Sequence, residues 1–265
     1  MLELRHVTKT FAKGTVNEHT ALRDVSLTVQ EDDFITMLGS NGAGKSTLFG
    51  AIAGTFFVDE GEILLDGQPI GHLPEHKRAR AVGTLFQDPM KGTAPDLTIE
   101  ENLALACNQT RRFPLALAVQ KRDLRRFREQ LATFGMGLED RMKMKVGLLS
   151  GGQRQALTLL MATIAHPRLL LLDEHTAALD PATATKVMEI TVKIVREQKI
   201  PTMMITHNMG QALSVGNRTI MMDAGQIILD IAGQERLDMT VPRLMDMYSG
   251  ARGRELDNDR MLLSR

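Results

Sequence analysis

A glycine-rich stretch, GSNGAGKST, runs from residue 39 to residue 47, with an apolar run before it and a helix-compatible run after it. It fits the spacing G-x-x-x-x-G-K-[ST], which requires this strand–loop–helix setting. Glycines let the backbone curl with its N–H groups pointing inward, and the following helix adds its positive N-terminal end. The stretch predicts a phosphate-binding loop in which Lys45 reaches the β- and γ-phosphates of a nucleotide and Ser46 ligates Mg²⁺.

The alternative is that this stretch has only a structural role, as a glycine-rich turn between a strand and a helix. The match of the spacing and of its context favours the phosphate loop. The expected nucleotide-binding residues of the loop are Gly39, Ser40, Asn41, Gly42, Ala43, Gly44, Lys45, Ser46 and Thr47.

A second feature is an apolar run, Leu169–Leu172, that ends in the carboxylates Asp173 and Glu174. In a phosphate-loop ATPase, Asp173 would hold the Mg²⁺ shell and Glu174 would orient and polarise the attacking water. Positioning this water is most of what a base contributes to phosphoryl transfer. Carboxylates also cap strand ends, so the pattern indicates catalysis only in combination with the phosphate loop.

A third feature is the pentapeptide Leu149-Ser150-Gly151-Gly152-Gln153, which precedes a helical stretch over residues 154–165. Its serine and glycines predict a second helix N-terminus that could hold an anion. A serine N-cap followed by flexible glycines is the structural alternative. The same chain contains two candidate anion-binding sites, the phosphate loop and this pentapeptide, and a carboxylate pair at the end of a strand. This combination favours a functional role for the pentapeptide.

The composition and charge of the chain exclude several classes of protein. The 265 residues contain 32 Lys+Arg and 32 Asp+Glu, so no net charge indicates a nucleic-acid or membrane-surface binder. The single cysteine, Cys107, excludes an internal disulfide and suits a reducing compartment. No apolar run approaches the ~20 residues of a membrane span, and the N-terminus lacks a signal-peptide pattern. We expect a cytosolic protein whose membrane role, if it has one, depends on a partner.

The elements that position these residues predict an α/β fold. Residues 2–7, 25–29 and 62–65 form short strands, with a turn signal at Asp66-Gly67, and suggest a small antiparallel sheet. Buried strands over 34–38, 82–86, 169–172 and 202–206 alternate with helices, which implies a mainly parallel sheet. Methionines in the apolar runs, such as Met203 and Met221, are expected to be flexible core fillers.

The remaining helices and turns follow from local signals. Thr98 starts a helix, Asp180-Pro181 caps one that runs to about residue 198, and a short helix covers 209–215. Strands 218–222 and 226–231 pair through a turn at Ala224-Gly225, a closing helix covers 237–248, and 250–265 is a polar tail. Residues 115–134 form a basic helix, for which a solvated face is favoured over a nucleic-acid patch.

Taken together, these motifs resemble the ATP-binding cassette (ABC) ATPases. Leu149–Gln153 is similar to the signature pentapeptide of that family, and the phosphate loop, Gln87, Asp173-Glu174, Asp180 and His207 occur in the family's order. The resemblance covers residues 1 to about 232. It implies a RecA-like core, a small antiparallel β subdomain and a helical subdomain inserted at about 88–160. The C-terminal helix and polar tail over 233–265 lie outside the resemblance.

The resemblance also implies roles for individual residues. Two copies would pair head to tail, with each ATP between the phosphate loop of one copy and the pentapeptide of the other. The residues serving the partner's ATP would be Ser150, Gly151, Gly152, Gln153 and Asp180. The catalytic residues would be Glu174, His207, Gln87 and Lys45, and the Mg²⁺ ligands would be Ser46, Gln87 and Asp173. Phe11 corresponds to an aromatic residue that stacks on adenine.

Each of these roles has a structural alternative. Asp180 before Pro181 is a good helix cap, His207 could be an ordinary loop histidine, and Gln87 could make a hydrogen bond at a strand end. Phe11 could be a core residue that ends the first strand. In combination, the motifs favour the functional roles.

Three positions depart from the pattern of many family members. His175 stands where many have proline, and Ala156 and Met161 stand where many have arginine. His175 could tune Glu174 or act as a ligand, but a packed, neutral histidine is favoured.

The resemblance implies an ATP-hydrolysing subunit that lies on the inner face of the membrane and powers uptake of a small solute through a separate permease. Its partners would be the permease, a second ATPase subunit forming a homodimer, and a solute-binding protein. Residues 71–79 look similar to cassettes of branched-chain amino-acid importers, which favours an amino acid as the solute. The alternatives are a cassette ATPase acting on ribosomes or DNA, and a phosphate-loop kinase or GTPase.

Overall fold

The computed structural model describes residues 1–108 and 121–252. The strands are β1 (Leu2–Phe11), β2 (His19–Val29), β3 (Phe34–Gly39), β4 (Glu60–Leu65), β5 (Gln68–Pro69), β6 (Val82–Leu85), β7 (Leu169–Asp173), β8 (Thr202–Ile205), β9 (Arg218–Asp223) and β10 (Gln226–Ala232). The helices are α1 (Lys45–Ala53), α2 (Glu75–Arg78), α3 (Ile99–Asn108), α4 (Lys121–Ala132), α5 (Gly151–Thr163), α6 (Pro181–Gln198), α7 (Met209–Ser214), α8 (Gly233–Leu237) and α9 (Val241–Arg252).

These elements form two compact units. The first unit contains residues 1–79 and the described residues from 201 onward, and the second unit contains the described residues from 80 to 200. The predicted division into residues 1–232, a helical insertion at about 88–160 and a C-terminal part stays a prediction.

The first unit contains the expected small antiparallel sheet, with strand order β2-β1-β4-β5. In β1, Leu2 pairs with Val29 of β2, and Leu4 pairs with Leu27. Leu2, Leu4 and Val7 are buried, which explains the alternation seen in the sequence. Strand β1 is longer than predicted, because it continues through polar residues as far as Phe11.

The first unit also contains β3, the strand that leads into the phosphate loop. All residues of β3 are buried, and it pairs in parallel with β8 and β9. Strands β9 and β10 form the predicted antiparallel hairpin. The methionines Met203, Met204, Met221 and Met222 are buried in these strands, which confirms their prediction as core fillers.

Helix α1 follows the phosphate loop and ends at Gly54, whose φ of 88° is accessible because glycine has no Cβ. The end of α1 is held by Arg78, a buried residue of α2. Its Nη1 donates hydrogen bonds to the carbonyl oxygens of Ala51 (2.6 Å) and Ile52 (3.1 Å). Helix α2 was not predicted from the sequence.

In the second unit, β6 and β7 pair in parallel, from Val82 opposite Leu169 to Leu85 opposite Leu172. Helix α6 begins at Pro181 with Asp180 as its N-cap and ends at Gln198, as predicted. In α4, the arginines 122, 125, 126 and 128 are exposed, which agrees with a solvated basic face. Residues 115–120 of the predicted helix lie outside the described residues.

The predicted closing helix over residues 237–248 is wrong in its extent. The chain instead forms α8 and α9, with a break at residues 238–240. Thr240 favours a new helix start, since its Oγ1 accepts a hydrogen bond from the backbone N–H of Arg243 at 3.4 Å. Pro242 fits the first turn of α9, where its missing N–H has no cost. Residues 250–252 of the predicted tail belong to α9, and residues 253–265 lie outside the described part.

None of the helices formed by residues 1–108 and 121–252 combines the length and the apolar character needed to cross a membrane.

Candidate functional site

The phosphate loop joins β3 to α1 and depends on glycine at specific positions. Gly39, Gly42 and Gly44 have φ values of 149°, 79° and 101°, in the region that side chains disfavour. A Cβ atom on Gly44 would lie 2.7 Å from the carbonyl oxygen of Ala21 in β2. The sequence therefore folds into a curled loop that another residue type at these positions would distort.

Lys45 is the first residue of α1, directly after the curled part of the loop, and is only 6% exposed. Its Nζ donates hydrogen bonds to the carbonyl oxygens of Gly39 (2.7 Å) and Ser40 (2.9 Å), so the ammonium group is held over the loop. Ser46 is exposed in the first turn of α1. The N–H groups of a first helical turn have no carbonyl partner within the helix, which makes this place suitable for an anion.

The hairpin turn at Gly225 supports the phosphate loop, a contact that the sequence analysis missed. Its N–H donates to the carbonyl oxygen of Ala43 at 3.0 Å, and its carbonyl oxygen accepts from the N–H of Arg23 at 2.9 Å. A Cβ on Gly225 would lie 2.8 Å from the carbonyl oxygen of Ala21. The sequence signal predicted the turn itself, but nothing local indicates what the turn contacts.

Phe11 lies at the end of β1 and is 38% exposed, so the alternative of a core phenylalanine is wrong. Its ring packs edge-on against Phe56, with the two centroids 5.2 Å apart, and Lys9 Nζ lies 5.4 Å from its centroid. These contacts hold the ring while part of it stays accessible. An accessible aromatic ring suits stacking on a nucleotide base.

His207 follows β8 and immediately precedes the N-cap of α7. Asn208 Oδ1 accepts the N–H of Gln211 at 2.8 Å, and Asn208 N–H donates to Thr206 Oγ1 at 3.2 Å. Thr206 Oγ1 in turn donates to Gln211 Oε1 at 2.6 Å. This network fixes the backbone on both sides of His207. His207 was predicted from the sequence, but these neighbours were not.

In the second unit, the structure brings together two of the predicted catalytic residues. Asp173 is the last residue of β7, and Glu174 follows it with a φ of 47°, unusual for a residue with a side chain. Gln87, which follows β6, donates a hydrogen bond from Nε2 to Glu174 Oε2 at 3.3 Å. Parallel pairing of β6 with β7 explains why side chains after both strands meet.

His175 is 2% exposed, and its Nε2 lies 3.1 Å from Thr191 Oγ1 in α6. Because Thr191 Oγ1 donates to the carbonyl oxygen of Val187, it must accept from His175, which places the imidazole hydrogen on Nε2. Burial lowers the pKa of His175 to about 4. The prediction of a packed, neutral histidine is therefore confirmed.

Ser150 is the N-cap of α5 and forms a capping box with Gln153. Ser150 Oγ accepts the N–H of Gln153 at 3.3 Å, and Gln153 Oε1 accepts the N–H of Ser150 at 3.2 Å. A Cβ on Gly152 would collide with Cγ2 of Thr183 in α6. The pentapeptide thus has a structural role in capping and packing, and this role is compatible with its predicted role in nucleotide binding.

Asp180 caps α6, since its Oδ1 accepts the N–H of Thr183 at 3.1 Å. Hydrogen bonds from the side chain and then the backbone of Thr183 hold the pKa of Asp180 below its usual value. The helix-cap interpretation is confirmed, while the role of Asp180 towards a second subunit stays a prediction.

The described residues contain no group of three His, Cys, Asp or Glu side chains that could hold a metal ion by themselves. The predicted Mg²⁺ ligands do not form such a group, because they include a serine and a glutamine. Ser46 in the first unit and Gln87 and Asp173 in the second unit each offer an oxygen atom. Mg²⁺ prefers oxygen ligands and keeps several waters or phosphate oxygens in its shell, so each of these side chains has the chemistry of a magnesium ligand.

Comparison with known proteins decides the family. The sequence profile described as ABC transporter matches residues 22–177. The chain belongs to the ABC transporter family. It is 39% identical over 251 residues to the tyrosine transport ATP-binding protein of Clostridioides difficile, covering 95% of this chain and 100% of that protein.

Other relatives and solved structures agree with this assignment. The chain is 35% identical to the methionine import ATP-binding protein MetN 2 of Enterococcus faecalis, covering 86% of this chain and 64% of that longer protein. The fold matches a dimeric ATP-binding cassette, MJ0796, in a post-hydrolysis state bound to ADP and Pi, with a TM-score of 0.75. That match has 29% identity and covers 88% of this chain and 98% of the other.

The predicted family, fold class and enzymatic activity are confirmed. The protein binds and hydrolyses ATP as the nucleotide-binding subunit of an ABC transporter. The alternative of a cassette ATPase acting on ribosomes or DNA is not supported, since the curated relatives are transport and import proteins.

Proposed function

We propose that this ABC transporter subunit energises the uptake of an amino acid through a separate permease. The observation that carries the proposal is the buried Lys45 held over a loop of positive-φ glycines. This loop occurs in a chain that is 39% identical over its relative's full length to a tyrosine transport ATP-binding protein.

The residues of the first unit bind the nucleotide. The loop N–H groups and Lys45 hold the phosphates, and the Phe11 ring stacks on the adenine. Ser46 offers its hydroxyl to Mg²⁺, which when bound neutralises charge on the phosphate oxygens. His207, placed between β8 and the N-cap of α7, contacts the γ-phosphate.

The residues of the second unit act on the water. The carboxylate of Glu174 orients and polarises the attacking water, and Gln87 holds this carboxylate through its 3.3 Å hydrogen bond. Asp173, at the end of β7, belongs to the Mg²⁺ shell. Phosphoryl transfer needs little covalent help, so these side chains contribute by positioning and by charge.

The active assembly contains two copies of the chain with two ATP molecules between them. Ser150, Gly151, Gly152, Gln153 and Asp180 then face the ATP held by the other copy. The support is the capped N-terminus of α5 and the dimeric state of the similar cassette MJ0796. ATP favours the closed pair because it binds that state more tightly, and hydrolysis reopens it.

The assembly is tested by Ser150→Arg, which places a bulky cation where the other copy's ATP binds. ATPase activity should be lost, while the isolated chain still binds ATP with nearly unchanged affinity. Retained turnover would refute the two-copy site.

The remaining parts of the proposal concern partners and solute. We place the protein on the inner face of the membrane, with a permease and a solute-binding protein as partners. The solute assignment is supported by the relatives for tyrosine and methionine. Other relatives are import proteins for spermidine or putrescine and for xylose or arabinose, so polyamines and sugars are the competing classes.

Uptake measurements in cells lacking this chain test the solute. Labelled tyrosine, methionine, leucine and spermidine are supplied with either the unchanged protein or Lys45→Ala. We expect the unchanged protein alone to restore uptake of an amino acid. Restoration of spermidine uptake only, or of nothing, would overturn the solute assignment. Co-purification of a polytopic permease from detergent-solubilised membranes is the matching test of the partner.

A further inference from the structure

The buried guanidinium of Arg236 connects the C-terminal helices to α7, the helix that begins two residues after His207. Arg236 lies in α8 and is 5% exposed. Its Nη2 donates hydrogen bonds to the carbonyl oxygens of Ala212 (2.6 Å) and Val215 (3.1 Å), at the end of α7. Its Nε donates to Thr219 Oγ1 in β9 at 2.7 Å.

The charge of Arg236 suits these partners. Burial lowers its pKa, but a guanidinium stays protonated in proteins and must then be hydrogen-bonded to be tolerated in the interior. Carbonyl groups at a helix end carry partial negative charge and favour a nearby cation. Arg236 therefore fixes the end of α7.

The same network reaches the strand that leads into the phosphate loop. Thr219 Oγ1 lies 2.8 Å from Thr36 Oγ1 of β3, three residues before Gly39. Thr36 Oγ1 also donates to the carbonyl oxygen of Ala212 at 3.1 Å. One polar network thus joins α8, α7, β9 and β3 within the first unit.

Apolar packing from α9 reinforces this connection. Leu244 and Tyr248 of α9 belong to one buried cluster with Leu38 and Met209. Leu38 directly precedes the phosphate loop, and Met209 lies two residues after His207. Residues 233–252 lie beyond the family profile's match, which ends at residue 177, so that match assigns them no role.

We propose that Arg236 is a positioning residue for ATP hydrolysis, which acts through α7 to hold His207 in place. The inference rests on the role proposed above for His207. The start of α7 is held by Asn208 and Thr206, and its end is held by Arg236. Without Arg236, the carbonyl oxygens at the end of α7 lose donors, so α7 shifts and the imidazole moves with it.

The test is a double-mutant cycle on the full chain. Arg236→Met removes the charge and the hydrogen-bond donors but keeps an unbranched side chain. The substitution is made both in the unchanged protein and in the His207→Ala variant. Arg243→Met, at an exposed position of α9, is the matched control. The measured quantities are kcat and KM of ATP hydrolysis, and Tm.

We expect Arg236→Met to lower kcat on the order of 10- to 100-fold with little change in KM, because a small misplacement has such an effect. In the His207→Ala background it should have no further effect on kcat. Arg236→Lys keeps a charge and a donor, so it should recover part of kcat and should fold even if Arg236→Met does not. Arg243→Met should leave kcat, KM and Tm unchanged.

Three outcomes would contradict the inference, in two different ways. An equal loss of kcat from Arg236→Met in both backgrounds, or unchanged kcat in Arg236→Met and Arg236→Lys, would overturn the inference alone. Full turnover in His207→Ala would overturn the proposed role of His207, and with it the inference.

Discussion

Gln87 Nε2 donates a hydrogen bond to Glu174 Oε2 at 3.3 Å, although 87 positions separate the two residues in the sequence. Gln87 follows β6 and Glu174 follows β7, and the two strands run in parallel. Glu174 has a φ of 47°, so its backbone is held in a conformation that most side chains avoid. Both the backbone and the hydrogen bond therefore restrict where this carboxylate points.

Glu174→Gln tests the carboxylate, because the amide has nearly the same shape but cannot polarise water as a base. We expect turnover to fall by roughly 100-fold or more while ATP is still bound. An ATP-bound pair of chains should then accumulate, visible as a doubled mass in size exclusion. Glu189→Gln, the same change at an exposed position of α6, is the control. A monomer in the presence of ATP would count against Glu174 as the group that orients water.

Gly44→Ala tests how tightly the phosphate loop is packed. Its φ of 101° and the 2.7 Å approach of a Cβ to the Ala21 carbonyl oxygen both oppose alanine. Gly14→Ala is the matched control, because Gly14 has a φ of 77° but nothing within 4 Å of a Cβ. Backbone strain of about 1–2 kcal/mol applies to both variants.

We expect Gly44→Ala to lower Tm more than Gly14→Ala does, and only Gly44→Ala to weaken ATP binding. Thermal unfolding and nucleotide titration measure the two effects. Equal effects of both variants would mean that the close contact with β2 does not constrain the loop.

Phe11→Ala tests the predicted base stacking. Stacking on an aromatic ring contributes about 1–3 kcal/mol per base, so ATP affinity should fall accordingly. Phe11→Tyr keeps a ring and should keep the affinity. Phe57→Ala removes a ring that is 53% exposed in the same unit and serves as the control. Unchanged ATP binding in Phe11→Ala, measured by titration, would exclude a role in stacking.

The features that could be predicted from the sequence are those with local signals. Helix α6 begins at Pro181, where an aspartate cap and a proline in the first turn occur together. The turn at Ala224-Gly225 has positive φ at both residues, and continuous apolar runs on either side of it indicate the strands. The phosphate loop combines fixed spacing with an apolar strand and a helix, so its position could be identified without a structure.

The features that could not be predicted involve partners far apart in the chain. Arg78 and Arg236 are buried against backbone carbonyl oxygens, which no pattern of side chains reveals. The contact of Gly225 with Ala43 joins residues from the two separate chain segments of the first unit. The break between α8 and α9 had a local signal in Thr240 and Pro242, but the apolar spacing of the region concealed it.

The buried His175 predicts how stability depends on pH. Its pKa is lowered from 6.5 to about 4 by burial, so the folded protein disfavours the protonated form. The unfolded chain therefore takes up a proton from about pH 6.5 downward while the folded protein does not. The stability associated with neutral His175 is present above pH 6.5 and is lost as the pH falls towards 4, by about 1.4 kcal/mol per pH unit.

His175→Gln removes the titration, and its amide N–H can still donate to Thr191. We expect the free energy of unfolding in urea, measured at pH 7.5, 6 and 5, to fall less steeply for this variant than for the unchanged protein. His76→Gln makes the same change at an exposed position and should leave the slope as it is. Parallel curves for His175→Gln and the unchanged protein would mean that His175 gains a proton without unfolding the chain, through an opening of the contact with Thr191.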